Sequence, residues 1–189
     1  MIRISGIFAA NFLGLVMLCA SGVGAAPSDV QAMFLTASGF YAVYLSLHPS
    51  DGIPDAKLRA RFEPFVSPAL DKLIADGDAA EQRYIKVTKN HAPPLVEGDL
   101  FSPNFEGATS LKIGTCVTDA KGGHCPVAMV YDDRRDKPLK WTDTVVLVNS
   151  SAGWRVDDID YGTNGDFGNR GTLTGTVRDA IKDGNSIPN

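Results

Sequence analysis

The chain has 189 residues, with 18 Lys and Arg side chains against 22 Asp and Glu, and a formal net charge of −4 at neutral pH. That length suits one ordinary domain with a sizeable core. A mildly acidic chain without clustered Lys and Arg is a poor partner for nucleic acid or for an anionic membrane surface. The composition therefore leaves a protein or a small molecule as the expected partner.

The first 25 residues have the pattern of a secretory signal. Arg3 is the only charge before an apolar run from Ile4 to Leu18, and Val23-Gly24-Ala25 forms a small-residue cleavage motif. A positive start, an apolar core and such a motif together define a signal peptide. We expect cleavage after Ala25, which leaves residues 26–189 as a single exported domain with no membrane span.

The three cysteines agree with export. Cys19 lies in the signal and leaves with it, so Cys116 and Cys125 remain and are expected to form a disulfide. The alternative for Cys19 is a lipid anchor, but that processing favours a small residue before the cysteine, and Leu18 stands there. No local ligand spacing supports zinc binding, so we expect no metal site.

The first half of the mature chain reads as helical. Apolar residues at three-and-four spacing predict an amphipathic helix from Ser28 or Asp29 to about Leu47. A second helix is predicted over residues 54–62, and a third from Pro68 toward Tyr84. Asp76-Gly77-Asp78 is a candidate interruption of that third helix.

The second half reads as antiparallel strands, because alternating and β-branched residues replace the helical pattern. Residues 109–117 and 125–131 predict one hairpin around a turn at 119–123. Residues 141–148 and 154–160 predict a second. A glycine-rich loop over 162–171 then precedes a short helix that carries Leu173, Val177 and Ile181.

Helices followed by antiparallel hairpins predict an α+β domain, with the N-terminal helices packed on one face of a curved sheet. This order resembles the cone-shaped nuclear transport factor 2-like (cystatin-like) superfamily. Three segments are similar to an exported bacterial family, the domain of unknown function 3828: Phe40–Tyr44, Gly98–Ser102, and Trp141–Thr144 with Gly153–Gly162. The resemblance implies a fold and an envelope location, but it brings no activity.

The candidate ligand-binding residues are Asp99, Trp141, Asp143, Asp158 and Tyr161. Asp143 shares a strand face with Trp141, so it either lies in a helix-covered pocket with a raised pKa or sits solvated at the rim. Asp99 either lines a pocket mouth or fixes a turn through backbone N–H groups. Trp141 either lines a cavity or packs in the core.

Asp157, Asp158 and Asp160, with Asn164 and Asp166 nearby, raise the question of a calcium loop. A loop counted from Asp160 has glycine at its third and twelfth positions, so the best-attested ligand register fails. Acidic residues that close a strand at its solvated edge are the simpler interpretation.

No motif for nucleophilic catalysis or phosphate binding occurs, neither G-x-S-x-G nor S-x-x-K, and we expect no cofactor. The sequence therefore predicts a non-catalytic binding module of the bacterial envelope, periplasmic or secreted, for a small ligand or a protein partner. One alternative is a periplasmic immunity protein that neutralises a toxin or hydrolase. The other is a small pocket enzyme, an isomerase or dehydratase that uses Asp143.

Overall fold

A computed structural model describes residues 28–47, 52–162 and 170–187. The predicted signal and most of the glycine-rich loop lie outside these ranges. Within them the fold is α+β, with four helices and an open antiparallel sheet of five strands. In chain order the elements are α1 (Asp29–Leu47), α2 (Ala56–Phe62), α3 (Pro68–Thr88), β1 (Ser110–Ile113), β2 (Val117–Asp119), β3 (Gly122–Tyr131), β4 (Leu139–Ser150), β5 (Gly153–Asp160) and α4 (Leu173–Ser186).

Helix α1 forms where its apolar spacing predicts it. The Ser28 hydroxyl accepts the Gln31 N–H at 3.4 Å and caps the first turn. One face is buried against the sheet through Met33, Ala37, Phe40, Tyr41 and Tyr44. Among the described residues, α1 is the one helix whose length and composition would let it cross a membrane, a property that core helices of soluble proteins share.

Helix α3 corrects the prediction of an interruption. It runs unbroken from Pro68 through 76–78 to Thr88, four residues beyond Tyr84. Gly77 serves the packing instead, because a Cβ there would come within 2.9 Å of the Val177 side chain on α4. Helix α2 begins at Ala56, two residues later than predicted, because Asp55 caps it by accepting the Leu58 N–H.

The sheet has the order β1-β3-β4-β5, and β2 also pairs with β3. The single strand predicted over 109–117 is wrong, because the pairing breaks between β1 and β2. Pro126 lies opposite this break and has no N–H to donate, while its carbonyl accepts the Gly114 N–H at 2.7 Å. The edge of the sheet therefore consists of two short strands, β1 and β2, which both pair with β3.

The predicted disulfide is confirmed. Cys116, just before β2, is bonded to Cys125 on β3, and both side chains are buried in the core. The bond closes a short loop across the interrupted edge of the sheet. A disulfide of this kind is consistent with an exported protein.

The β4–β5 hairpin is longer than predicted and contains a bulge. Val146 pairs with Asp158, whereas the next residue, Leu147, pairs with Val156, so Asp157 is the extra residue in β5. The bulge lets Val156 and Ile159 both face the core and leaves both acidic residues between them half-buried.

The core lies between α1 and the sheet. Rings from α1, α2 and the segment before β1 meet there, with Phe40 and Phe62 centroids 5.0 Å apart and Phe62 and Phe101 centroids 4.8 Å apart. Helices α3 and α4 pack against each other and reach the sheet at β5. Polar groups enter this core from α1, from the segment before β1 and from the sheet.

Candidate functional site

Four of the five predicted ligand-binding residues come together inside the domain, with two tyrosines of α1. We call this group the acidic cluster; its members are Asp99, Asp143, Tyr41, Tyr44, Trp141 and Tyr161. No member is more than 6% exposed. The cluster is thus an enclosed polar site within an apolar core.

Asp143 faces inward because the alternation of β4 also buries its neighbours Trp141 and Val145. The carboxyl is 0% exposed, so the alternative of a solvated rim position is wrong. Its Oδ2 accepts the Trp141 indole N–H at 3.1 Å. Its Oδ1 has no hydrogen-bond partner in the described part of the chain.

Asp99 combines one predicted role with one that was not predicted. Its Oδ1 accepts the Phe101 N–H at 2.8 Å, which is the expected turn-fixing bond. Its Oδ2 accepts the Tyr44 hydroxyl at 2.6 Å. The carboxyl is fully buried, so it does not stand at a pocket mouth.

Tyr44 joins α1 to both ends of one loop. Besides donating to Asp99, its hydroxyl oxygen accepts the Ala108 N–H at 2.7 Å. The intervening residues form a closed turn, in which the Asp99 N–H donates to the Phe105 carbonyl at 3.0 Å. We call residues 99–108 the closing loop, because its Leu100 carbonyl also accepts the Tyr161 hydroxyl of the cluster.

Burial sets the protonation of the two carboxyls. It raises the pKa of Asp99 to about 7, although the hydrogen bonds from Tyr44 and Phe101 act in the opposite direction. Burial likewise raises the pKa of Asp143 to about 7, and the nearby charges of Asp99 and Asp160 add to the rise. Both carboxyls therefore change protonation close to neutral pH.

Burial also raises the pKa of each cluster tyrosine well above its usual value, so all three hydroxyls keep their protons. The Tyr41 hydroxyl has no hydrogen-bond partner among the described residues. A buried polar group without a partner costs about 1–3 kcal/mol, and such groups usually meet an ordered water or a ligand. Tyr41 and Asp143 are therefore the incomplete part of the cluster.

The sequence interpretation missed Tyr41 and Tyr44 as site residues; it placed them in the predicted first helix and in the Phe40–Tyr44 segment of the family resemblance. A signal was present in the residue type. A buried tyrosine hydroxyl normally finds a partner, so two tyrosines on the core face of one helix indicate polar groups opposite them.

Asp158 lies outside the cluster. Its Oδ1 accepts the Thr174 N–H at 2.9 Å and its Oδ2 accepts the Thr174 hydroxyl at 2.7 Å, so it holds the first turn of α4. Asp157 accepts the Ser67 hydroxyl at the start of α3. Within the described ranges no three His, Cys, Asp or Glu side chains are grouped to hold a metal; Asn164 and Asp166 lie outside those ranges.

Three surface cavities of about 480, 310 and 340 Å³ lie elsewhere on the domain. They sit between α1 and α2, between α3 and α4, and beside the β4–β5 turn, and none of the three is lined by a cluster residue.

No model of a known protein family matches the chain, and no curated protein matches it. Among solved structures, a protein of unknown function from Bacteroides thetaiotaomicron VPI-5482 is similar, at 15% identity over 69% of this chain and 87% of that one, with a TM-score of 0.32. A likeness at that level supports no inference about this chain.

Proposed function

We propose that this is an exported, non-catalytic binding domain of the bacterial envelope that encloses a small ligand at the acidic cluster. One observation carries the proposal: the Tyr41 hydroxyl and Asp143 Oδ1 are buried in the same cluster, and neither has a hydrogen-bond partner among the residues that the structure describes. A ligand that supplies the missing hydrogen bonds removes the cost of leaving them unmade.

A purely structural role accounts less well for these groups. Buried polar networks stabilise and rigidify a core when every member is bonded, and they are costly when only partly bonded. Asp143 receives one neutral indole N–H, whereas its charge would need several donors to offset burial. Apolar side chains at positions 41 and 143 would fill the same space without that cost, so the polar groups favour a binding role.

The proposal extends to fold and location. The order of helices and antiparallel strands and the bulge in β5 support a cone-shaped domain of the nuclear transport factor 2-like kind, near the domain of unknown function 3828 family. The Cys116–Cys125 disulfide supports an oxidising compartment, which makes the periplasm or the exterior the site of action. Mature protein should begin at Ala26 and show no free thiol by intact mass.

Native mass spectrometry tests the binding proposal on protein purified from the envelope. Wild type should carry an added small-molecule mass at one copy per chain, and Asp143→Asn should lose it. Asp158→Asn is the matched control, because it makes the same charge change at a residue that holds α4, outside the cluster. It should keep the added mass.

Two results would reject the small-ligand proposal. If wild-type protein showed no added mass in any preparation, it would have no co-purifying small ligand. Retention of the mass by Asp143→Asn would place the ligand elsewhere. A bound polypeptide in its place would redirect the function to a protein partner, as for an immunity protein.

A second candidate, a small pocket enzyme, is favoured by the Tyr44–Asp99 pair. A carboxyl with a pKa of about 7 beside a tyrosine hydroxyl is suited to general acid–base chemistry near neutral pH. Incubation of the protein with an envelope metabolite extract separates the two candidates. Depletion of a metabolite far beyond one equivalent, absent with Asp99→Asn, would establish the enzyme; depletion limited to one equivalent supports binding.

A further inference from the structure

We infer that this chain forms a symmetric homodimer, in which the α1 helices of two copies pack antiparallel through their exposed sides. The inference does not depend on ligand binding at the acidic cluster, because Tyr41 and Tyr44 lie on the buried face of the same helix. We call the exposed side the outer face of α1; its members are Gln31, Leu35, Ser38, Ala42 and Leu45.

Helix α1 is apolar on both sides. Its buried face packs in the core, yet the helix also exposes four large apolar side chains: Val30, Phe34, Leu35 and Leu45. Leu35 is the most exposed of them, at 54%. A helix that is apolar all round is normally covered on all sides, and an exposed apolar patch marks an interaction surface. The outer face therefore indicates a partner.

The outer face has the spacing of a contact between two helices. Its residues follow one another at intervals of four, three, four and three positions. This alternation keeps one stripe of a helix directed at a neighbouring helix that runs alongside it, as in coiled coils and helical bundles. The spacing therefore favours a helix as the contacting element of the partner.

The outer face is also complementary to a second copy of itself. Leu35 and Leu45 each lie five residues from Phe40, one before it and one after it. Ser38 and Ala42 each lie two residues from it. With a twofold axis at this level, Leu35 of one copy lies opposite Leu45 of the other. Ser38 then lies opposite Ala42, and this small central pair lets the two helix backbones approach closely.

The same register brings a cation to an exposed ring. Arg61 of α2 donates from its Nη2 to the Ser46 hydroxyl at 2.8 Å, which places its guanidinium at the C-terminal end of the outer face. Ser46 and Phe34 each lie six residues from Phe40. The Phe34 ring of one copy therefore lies opposite Ser46 of the other, beside that Arg61. A guanidinium is attracted to the face of an aromatic ring.

Charge directs two copies to this face. The chain carries a net charge of −4, so two copies repel each other in most orientations. Asp29 is the single charged residue of α1, and its carboxylate accepts the Trp154 indole N–H of β5 at 3.1 Å. The outer face itself carries no charge, so two acidic copies approach there at the lowest electrostatic cost.

Sedimentation equilibrium of the mature protein tests the dimer without any variant. The average mass should rise from that of one chain to that of two as the protein concentration increases from micromolar to millimolar. A monomer over this whole range would overturn the inference. A monomer that floats with vesicles of neutral lipid would also overturn it, because the bilayer would then be the partner of the outer face.

Leu35→Glu places a carboxylate on the contact twice, once from each copy, so it should raise the dimer dissociation constant about 100-fold. Leu139→Glu is the matched control, because Leu139 is 46% exposed at the start of β4, away from α1. It should leave the dimer intact, and circular dichroism should show that both variants are folded. Equal dissociation constants for the two variants would overturn the inference.

A double variant tests the antiparallel register. Adding Leu45→Lys to Leu35→Glu should restore part of the association, because the register places the two substituted positions of different copies opposite each other. In a parallel pair each position would face itself, and like charges would repel. A double variant that associates no better than Leu35→Glu alone would therefore overturn the antiparallel arrangement.

Discussion

Asp143 and Asp158 lie on the two strands of one hairpin, yet the fold surrounds them differently. Asp158 is half-buried and accepts three hydrogen bonds, from the Ile159 N–H and from the N–H and hydroxyl of Thr174. Within the described part of the chain, Asp143 is completely buried and receives only the Trp141 indole N–H. A carboxylate near a helix start is stabilised by the donors there, whereas a carboxylate with an unbonded oxygen in the core carries a cost, which is the basis of the ligand-binding proposal.

The largest expected effect is a pH dependence of stability. The folded-state pKa values of Asp99 and Asp143 are raised from 3.8 to about 7, so the folded protein binds more protons than the unfolded chain between these values. The stabilisation is fully present below about pH 4 and is lost as the pH rises through about 7, by up to about 1.4 kcal/mol per pH unit for each carboxyl. Urea unfolding across this range measures it.

Asp143→Asn should remove the contribution of one carboxyl to this pH dependence. The variant should therefore be more stable than wild type above pH 7. A slope identical to that of wild type would show that Asp143 does not titrate in the folded core.

The next effect is on Asp158. Asp158→Ala removes the acceptors of the Thr174 N–H and hydroxyl, so we expect a loss of about 1–3 kcal/mol in the free energy of unfolding. The decline in stability between about pH 4 and 7 should persist in this variant. If the substitution instead removed the pH dependence and left stability unchanged, Asp158 would be the carboxyl that titrates in the fold and would not be a structural one.

A smaller effect separates Tyr44 from Tyr41 on α1. Tyr44→Phe removes two hydrogen bonds to the closing loop and should cost about 1–2 kcal/mol. Amide hydrogen exchange within residues 99–108 should speed up, since local opening becomes easier. Tyr41→Phe is the matched control and should leave that exchange unchanged. Equal acceleration in both variants would show that Tyr44 does not hold the loop in particular.

The smallest effect is expected at an exposed carboxylate. Asp76 pairs with Lys72 at 2.6 Å on α3, with both side chains more than half exposed. Asp76→Asn should cost about 0.3–0.5 kcal/mol, because water and salt screen such pairs. A loss as large as that of Asp158→Ala would show that the exposure of a carboxylate does not determine how much it contributes to the stability of this protein.

Regular elements of the fold were predictable where local pattern decides them. The stripe of α1, its cap at Ser28 and the two-residue alternation that turns Asp143 inward follow from residue type and side-chain periodicity. The uninterrupted α3 was not predictable, because Gly77 is kept for a contact with Val177, one hundred residues away in the chain. The split of the edge strand was missed although Pro126 signalled it, since its missing N–H matters only once the partner strand is known.

The sequence by itself determined the local choices in this protein: helices first, antiparallel strands afterwards, a cysteine pair and four acidic or aromatic candidates that proved to be neighbours. Only the tertiary structure decided how those groups are partnered. Whether a carboxylate is satisfied depends on donors from distant segments, as Tyr44 reaches Asp99 and Thr174 reaches Asp158. The pKa of a carboxyl group depends on how deeply it is buried. Periodicity indicates which face of a strand a residue occupies, but it does not indicate the depth of burial.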